Sequence, residues 1–363
     1  MDKVTVLGGG NGGQAVSAFL SIQGMEVALF EHPDLEANLD GIKEKGGIQF
    51  EGPIIQDFAR ISLATSDIGK ALSDSQMIIM IVPSYAQETM FRLALPFLDD
   101  GDIVFALPGN FSSLCFSRIA QEAGKKILFA EAATIPFACR ITGPGKVYVG
   151  GLKKTFPVGC FPEKNNDLLR SRIRRYFPFN FSFVRSVMEA ALSNGNLIVH
   201  PTTATLNAGW IESTGGSFSF YRQGMSESVC RVEEAIDMER LTVGKALGLN
   251  IPPFVDLINT WYDLNVSSIR EFAATSSTHN NFGHDAPSSL KNRYVSEDIP
   301  FLMVPVMSLG NILGVECPML ESFVRIGSVI NGTDYLEKGR NLKQLGLEGM
   351  TGEEIRNLAG LEL

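Results

Sequence analysis

The sequence predicts an α/β chain: a doubly wound parallel sheet over residues 1–184, followed by an all-α second domain over 185–363. Three observations carry this. A strand–turn–helix unit with glycines at Gly8, Gly10 and Gly13 opens the chain, and apolar strand-like runs alternate with helical stretches through the first half. Strand patterning then stops near Val184, and apolar residues recur at helical spacing.

The opening unit comes first. Val4, Val6 and Leu7 lead into Gly8-Gly9-Gly10-Asn11-Gly12-Gly13, and a helical pattern follows through Ala15, Val16, Phe19 and Leu20. In a Rossmann-like unit the first glycine permits the tight turn and the second lets the backbone approach a pyrophosphate. The third lets the helix pack close to the strand. The free N–H groups and positive dipole end of that helix hold phosphates. Gly8, Gly10, Asn11 and Gly13 are therefore candidate cofactor contacts. The next strand, Glu26–Phe30, ends on Glu31, about 20 residues beyond the glycines, where an acid accepts hydrogen bonds from adenosine ribose hydroxyls. No arginine follows it immediately, as a 2′-phosphate site would favour. This points to NAD rather than NADP; the alternative is a glycine-rich turn beside an ordinary surface glutamate.

A small hairpin is expected around Gly46–Gly52, then strands at Ile61–Ala64, Gln76–Val82, Asp102–Leu107 and Lys126–Ala130. Gln76–Val82 is a continuous apolar run, as a strand buried on both faces should be. These strands deliver three polar loops to the carboxyl edge of the sheet, where doubly wound folds bind ligands. The loops begin at Pro83, Pro108-Gly109-Asn110 and Glu131-Ala-Ala-Thr134. Pro83 is a candidate cofactor contact, and Asn110 and Thr134 are candidate substrate contacts or simply turn residues. A short β-rich extension (Lys146–Val149, Phe156–Val158) and a helix over Asp167–Tyr176 precede a seam near Phe183–Val187. Catalysis is expected in the cleft between the two domains.

The second half reads as helices over Glu227–Leu247, from Pro252-Pro253 through Tyr262, and over Pro305–Leu313, Pro318–Ile330 and Gly352–Ala359, with a connecting element at Thr333–Asn341. Of four histidines, His200 alone sits inside a helical, largely apolar stretch, Asn196-Leu-Ile-Val-His200-Pro201. Pro201 should kink or restart the helix there. An imidazole at such a break is a candidate acid/base, the alternative being a satisfied core histidine. The loop His279-Asn-Asn-Phe-Gly-His284 precedes Arg293-Tyr294-Val-Ser296-Glu297-Asp298-Ile-Pro300. Ser296 looks like an N-cap, with Glu297 and Asp298 in the first helical turn. One of these carboxylates is positioned by type to orient His200, as the third member of an acid/base relay does. Arg293, with its planar fork, suits two-point binding of a carboxylate.

Composition excludes other classes. A formal net charge of −9 argues against nucleic acid as the main partner. The run from Arg170 to Arg175 reads as the solvated face of a helix. Five scattered cysteines without a C-x-x-C pair fit reduced thiols better than a disulfide frame or a metal site. The first strand begins by residue 3 or 4 with no signal peptide before it, and no apolar run approaches the roughly 20 residues that span a bilayer. The expectation is a cytoplasmic enzyme without membrane or metal partners; oligomeric state is open, with a homodimer as the expectation.

Over nearly its whole length the chain resembles the opine dehydrogenases of the octopine/nopaline type. The resemblance rests on the Gly8–Gly13 turn, Val82-Pro83, Pro108-Gly109-Asn110, Glu131 through Pro136, Asn196-Leu-Ile-Val-His200-Pro201, and Arg293 through Pro300, the last two being the most specific. It implies His200 as catalytic acid/base, Asp298 as its partner and Arg293 as the substrate-facing cation. The implied reaction joins the α-amino group of an amino acid to a 2-oxo acid, usually pyruvate, through an imine reduced by NADH. Asp298 would favour the imidazolium of His200. Ketopantoate reductases and hydroxyacid dehydrogenases share the architecture, but rely on a lysine early in the second domain. No lysine lies between Arg185 and Tyr221. A nucleotide-sensing regulator is the non-enzymatic alternative. The amino-acid pocket is not specified; Trp210, Trp261, Tyr262 and the His279–His284 loop are its candidate linings.

Overall fold

Twelve strands lie among the residues that this computed structural model describes, 2–177, 179–280 and 285–360. In chain order they are β1 (Lys3–Leu7), β2 (Glu26–Phe30), β3 (Gly47–Glu51), β4 (Asp57–Arg60), β5 (Leu63–Thr65), β6 (Met77–Met80), β7 (Ile103–Ala106), β8 (Leu128–Ala132), β9 (Phe137–Gly143), β10 (Lys146–Leu152), β11 (Phe156–Phe161) and β12 (Phe181–Phe183). The chain divides into two units, Met1–Val187 and Met188–Leu363.

Eight strands of the first unit form one sheet in the order β12-β11-β8-β7-β6-β1-β2-β5. From β8 to β5 every pairing is parallel, and β11 runs antiparallel to β8. Leaving β1 the chain pairs outward to β2 and β5, then returns through β6 on the other side of β1. The order reverses beside β1, so the Gly8–Gly13 turn lies at the switch point where such sheets bind ligands. β1, β2, β6 and β7 are buried almost throughout, which is why they read as apolar runs.

A second sheet, β4-β3-β10-β9, exceeds the small hairpin expected around Gly46–Gly52. β9, to which the sequence assigned no element, has mostly half-exposed residues and gives no continuous apolar run. The stretch expected as a strand over Lys126–Ala130 is Leu128–Ala132 instead, which places Glu131 inside β8, fully buried. Its carboxylate compensates by accepting hydrogen bonds from Phe111 N at 2.9 Å and Ser113 N at 2.6 Å, where the helix Ser112–Glu122 begins.

Among the described residues no strand follows Phe183, and the second unit is helical. Its longest helix, Glu227–Ala246, is capped by Ser226 and carries Arg240, buried and bonded to Asp237 Oδ1 at 2.8 Å and to the carbonyls of Leu192 and Pro252. That arginine joins three segments around one core. Contrary to expectation the helix bearing His200 does not restart at Pro201; it runs unbroken from Asn196 to Leu206. Residues Leu197 to Thr205 are all buried, so packing on every side outweighs the one backbone hydrogen bond that proline removes.

Candidate active site

The glycine turn of the first unit has the geometry of a phosphate cradle. Gly8 has φ +112°, and a side chain there would strike Ile81 O at 2.3 Å. A Cβ on Gly13 would lie 1.7 Å from Gly8 O, so strand and helix approach each other too closely for any other residue. Gly10 differs: nothing lies within 4 Å of where its Cβ would be. The space beside the first N–H groups of the helix Asn11–Ile22 is open where an anion would sit.

Glu31, at the end of β2, is buried, and its carboxylate accepts from Gly9 N at 3.0 Å, His32 N at 2.9 Å and Asn38 Nδ2 at 3.0 Å. It is therefore bound to the glycine turn as well as standing where a ribose is expected. These residues fit an adenine dinucleotide. The side chain of Asn11 accepts from Ile141 N at 2.8 Å, tying the start of the helix to β9. Pro83 precedes the helix Ser84–Ala94. Asn110 adopts a left-handed conformation (φ +56°), is buried, and donates to Ser84 Oγ at 2.8 Å, linking the loops after β6 and β7. Thr134 is buried beside Pro136, with its hydroxyl 3.4 Å from Ile135 O.

In the second unit His200 is 5% exposed, and its Nδ1 lies 2.8 Å from Asp298 Oδ2. A carboxylate accepts hydrogen bonds, so Nδ1 carries the proton and neutral His200 keeps the lone pair on Nε2. That nitrogen faces Tyr221 Oη at 3.3 Å. Tyr294 stacks on the imidazole at 4.0 Å between centroids, and Phe220 meets it edge-on at 6.3 Å. Burial pushes the His200 pKa below its ordinary value; hydrogen bonding and charge from Asp298 oppose this, and the Arg293 cation adds to it. The net direction is down. Asp298 thus favours the imidazolium as expected, but burial wins, and neutral His200 is the resting form at neutral pH.

The segment carrying Asp298 differs from its expected local form. Ser296 ends a short helix, Arg293–Ser296, and Asn292 is the cap, accepting from Tyr294 N at 3.1 Å. Ser296 instead donates back to Lys291 O and Asn292 O, a competing use common to serine in helices. Asp298 precedes the π turn Ile299–Met303 and makes no capping bond, its side chain being directed to His200. Arg293 is 52% exposed, 3.9 Å from Glu297 Oε2 and 5.5 Å from the Tyr294 ring centre. The structure brings His200 and Asp298 into contact, and Arg293 lies near enough for its charge to act on His200. Tyr221 and Tyr294 were missed as site residues; Tyr294 lay inside a quoted motif, while Tyr221 stood in none. His284 lies outside the described residues.

Residues 183–331 match the helical domain of NAD/NADP octopine/nopaline dehydrogenases, and residues 3–128 match the N-terminus of NAD-dependent glycerol-3-phosphate dehydrogenases. An opine dehydrogenase of Arthrobacter sp. (strain 1C) is 31% identical over 355 residues, covering 97% of each chain. The chain belongs to the opine dehydrogenase family. A D-nopaline dehydrogenase of Agrobacterium tumefaciens (strain T37) is 26% identical, covering 89% of this chain and 84% of that one. The fold is also that of an octopine dehydrogenase solved with NADH and L-arginine, at a TM-score of 0.77, 21% identity, and coverage of 100% and 99%. As a member of this family the chain is an NAD(P)-dependent oxidoreductase acting on CH–NH groups.

Proposed function

We propose that His200, Asp298 and Arg293 carry the reaction of this opine dehydrogenase, the reductive condensation of an amino acid with a 2-oxo acid, with pyruvate as the oxo acid and NADH as the preferred cofactor. The observation that carries the reading is the 2.8 Å contact between His200 Nδ1 and Asp298 Oδ2 in a buried site. It leaves Nε2 as a base at neutral pH.

Gly8, Gly10, Asn11, Gly13, Glu31 and Pro83 hold the dinucleotide, and NADH when bound supplies the hydride that reduces the imine carbon. His200 takes a proton from the substrate ammonium, freeing the amine to attack the oxo-acid carbonyl. The resulting imidazolium is stabilised by Asp298, then returns its proton to the hydroxyl that leaves as water. Arg293 binds the oxo-acid carboxylate in two-point fashion, fixing which face of the imine is presented. Asn110 and Thr134 contact substrate from the loops after β7 and β8. Preference for NADH is supported by Glu31 and by the absence of an arginine directly after it; a yersinopine dehydrogenase solved with NADP+ shows that both cofactors occur on this fold. Pyruvate is supported by an octopine dehydrogenase solved with NADH and pyruvate. A cytoplasmic location is supported by free cysteines throughout the described chain.

The test is NADH oxidation, followed by absorbance, with pyruvate and a panel of amino acids. Turnover requiring both substrates supports the reading. NADH binding with no turnover for any pair contradicts it and favours a nucleotide sensor.

A further inference from the structure

Tyr221 belongs to none of the sequence motifs above, yet its hydroxyl meets the one nitrogen of His200 that remains for proton exchange. Asp298 holds Nδ1 at 2.8 Å, the Tyr294 ring covers one face, and Phe220 stands edge-on. His200 is 5% exposed, and its Nε2 meets Tyr221 Oη at 3.3 Å.

The hydroxyl is held there by a built framework. Tyr221 lies in a five-residue π turn, Phe220–Gly224, a form often found where a side chain is re-aimed at a functional site. Asp285 Oδ1 accepts from Phe220 N at 2.8 Å at the start of that turn. Asn207 Nδ2 donates both to Thr203 O at 2.8 Å and to Gly224 O at 3.0 Å, tying the turn to the helix of His200. The Tyr221 ring packs against Phe220, Phe272 and His279, with centroids 5.4, 6.3 and 4.7 Å away. Burial raises its pKa well above the ordinary phenol value, so the group stays an O–H. Such a hydroxyl donates to one partner while accepting from another.

We propose that Tyr221 is a catalytic proton relay between substrate nitrogen and His200. The relay rests on the reading of His200 as the acid/base. In the condensing direction the substrate ammonium gives a proton to Tyr221 Oη as the Tyr221 proton passes to His200 Nε2. The ammonium N–H and tyrosine O–H bonds break, and a new O–H and a new N–H form. The amine becomes neutral, the imidazole becomes imidazolium, and Tyr221 ends as the phenol it began. The same path in reverse delivers the proton to the departing hydroxyl, which leaves as water.

Tyr221→Phe keeps the ring contacts and removes only the hydroxyl. In an enzyme whose wild type oxidises NADH with pyruvate and an amino acid, the variant should lose roughly 10²-fold in kcat, within the range for general acid–base catalysis. NADH affinity, read by fluorescence, should stay at the wild-type value. The acid limb of kcat/KM should move to higher pH, because a donor that favoured neutral Nε2 is gone. The solvent deuterium isotope effect on kcat should change as well. Wild-type kcat, pH profile and isotope effect in Tyr221→Phe would overturn the relay, as would a rise in KM alone. If Tyr221→Phe fails to fold, 3,5-difluorotyrosine at position 221 decides: a shifted pH profile supports the relay and an unshifted one overturns it. Absence of turnover in the wild type would instead contradict the reading of function on which the relay stands.

Discussion

Asp298 Oδ2 accepts a hydrogen bond from His200 Nδ1 at 2.8 Å, joining residues 98 positions apart in the sequence. Asp298 immediately precedes the π turn Ile299–Met303, and His200 lies in a helix buried along nine successive residues, Leu197 to Thr205. The pair fixes the imidazole tautomer and leaves the lone pair on Nε2, the atom proposed as the base.

The pH dependence follows from the sign of the His200 shift. Its pKa is lowered from 6.5 by burial, against the raising effect of Asp298. The acid limb of kcat/KM should therefore lie below pH 6.5. Asp298→Asn removes the raising contribution, so the limb should move to still lower pH while turnover falls. The linked stability runs the same way: the unfolded chain binds the His200 proton more readily, so this contribution is present above pH 6.5 and lost as pH falls through the folded value. A pH–rate series on both proteins checks the first claim, and an unmoved limb would separate Asp298 from the titration of His200.

Two glycines of one turn should fail differently. Gly10→Val places its side chain in open space, so the melting temperature should stay near wild type while NADH affinity falls at least roughly tenfold, the cost of losing about 1.4 kcal/mol of binding. Gly13→Ala forces a Cβ to 1.7 Å from Gly8 O and should destabilise the fold itself. Paired melting and fluorescence titrations separate the two. Unchanged NADH affinity in Gly10→Val would remove the turn from the phosphate site.

Glu31 bonds the glycine turn and is proposed to meet the cofactor ribose, so substitution should have two effects. Glu31→Gln retains an oxygen for Gly9 N but removes the charge that repels a 2′-phosphate. The ratio of kcat/KM for NADPH over NADH should rise. An unaltered ratio would take Glu31 out of cofactor selection.

Glu233 makes a prediction about stability. It is fully buried, accepts from Thr203 Oγ1 at 2.7 Å, and burial raises its pKa to about 8. The folded state then keeps its proton while the unfolded chain, at 4.5, has lost it. Stability from this group is full below pH 4.5 and falls as pH rises toward 8. Glu233→Gln should equal wild type in acid and exceed it increasingly toward alkaline pH, read from denaturant midpoints. Parallel curves would mean that Glu233 is ionised in the fold.

Much of this was legible because the chemistry is local. Gly8, Gly13 and Glu31 lie in one strand–turn–helix–strand unit, where spacing alone fixes geometry. His200 could be singled out as an imidazole in an apolar stretch, although its helix persists through Pro201 because tertiary burial overrides the local break. Ser296 was misplaced because serine caps helices and also bonds back to carbonyls within them, and sequence does not separate the uses. Glu131 was assigned to a loop since a carboxylate inside a buried strand is costly unless backbone N–H groups meet it, here from Phe111 and Ser113. Tyr221 was invisible: its link to His200 depends on a π turn held by Asp285 and Asn207, and no periodicity signals it.

His200 and Asp298 acting as one unit can be read from a double-mutant cycle on turnover. His200→Ala should lower kcat by about 10²–10⁴-fold with NADH binding preserved. Asp298→Ala alone should also be severe, and adding it to His200→Ala should cost little more, because the carboxylate works only through the imidazole. Losses in the double variant equal to the product of the two single losses, in folded protein that still binds NADH, would show that the residues act separately.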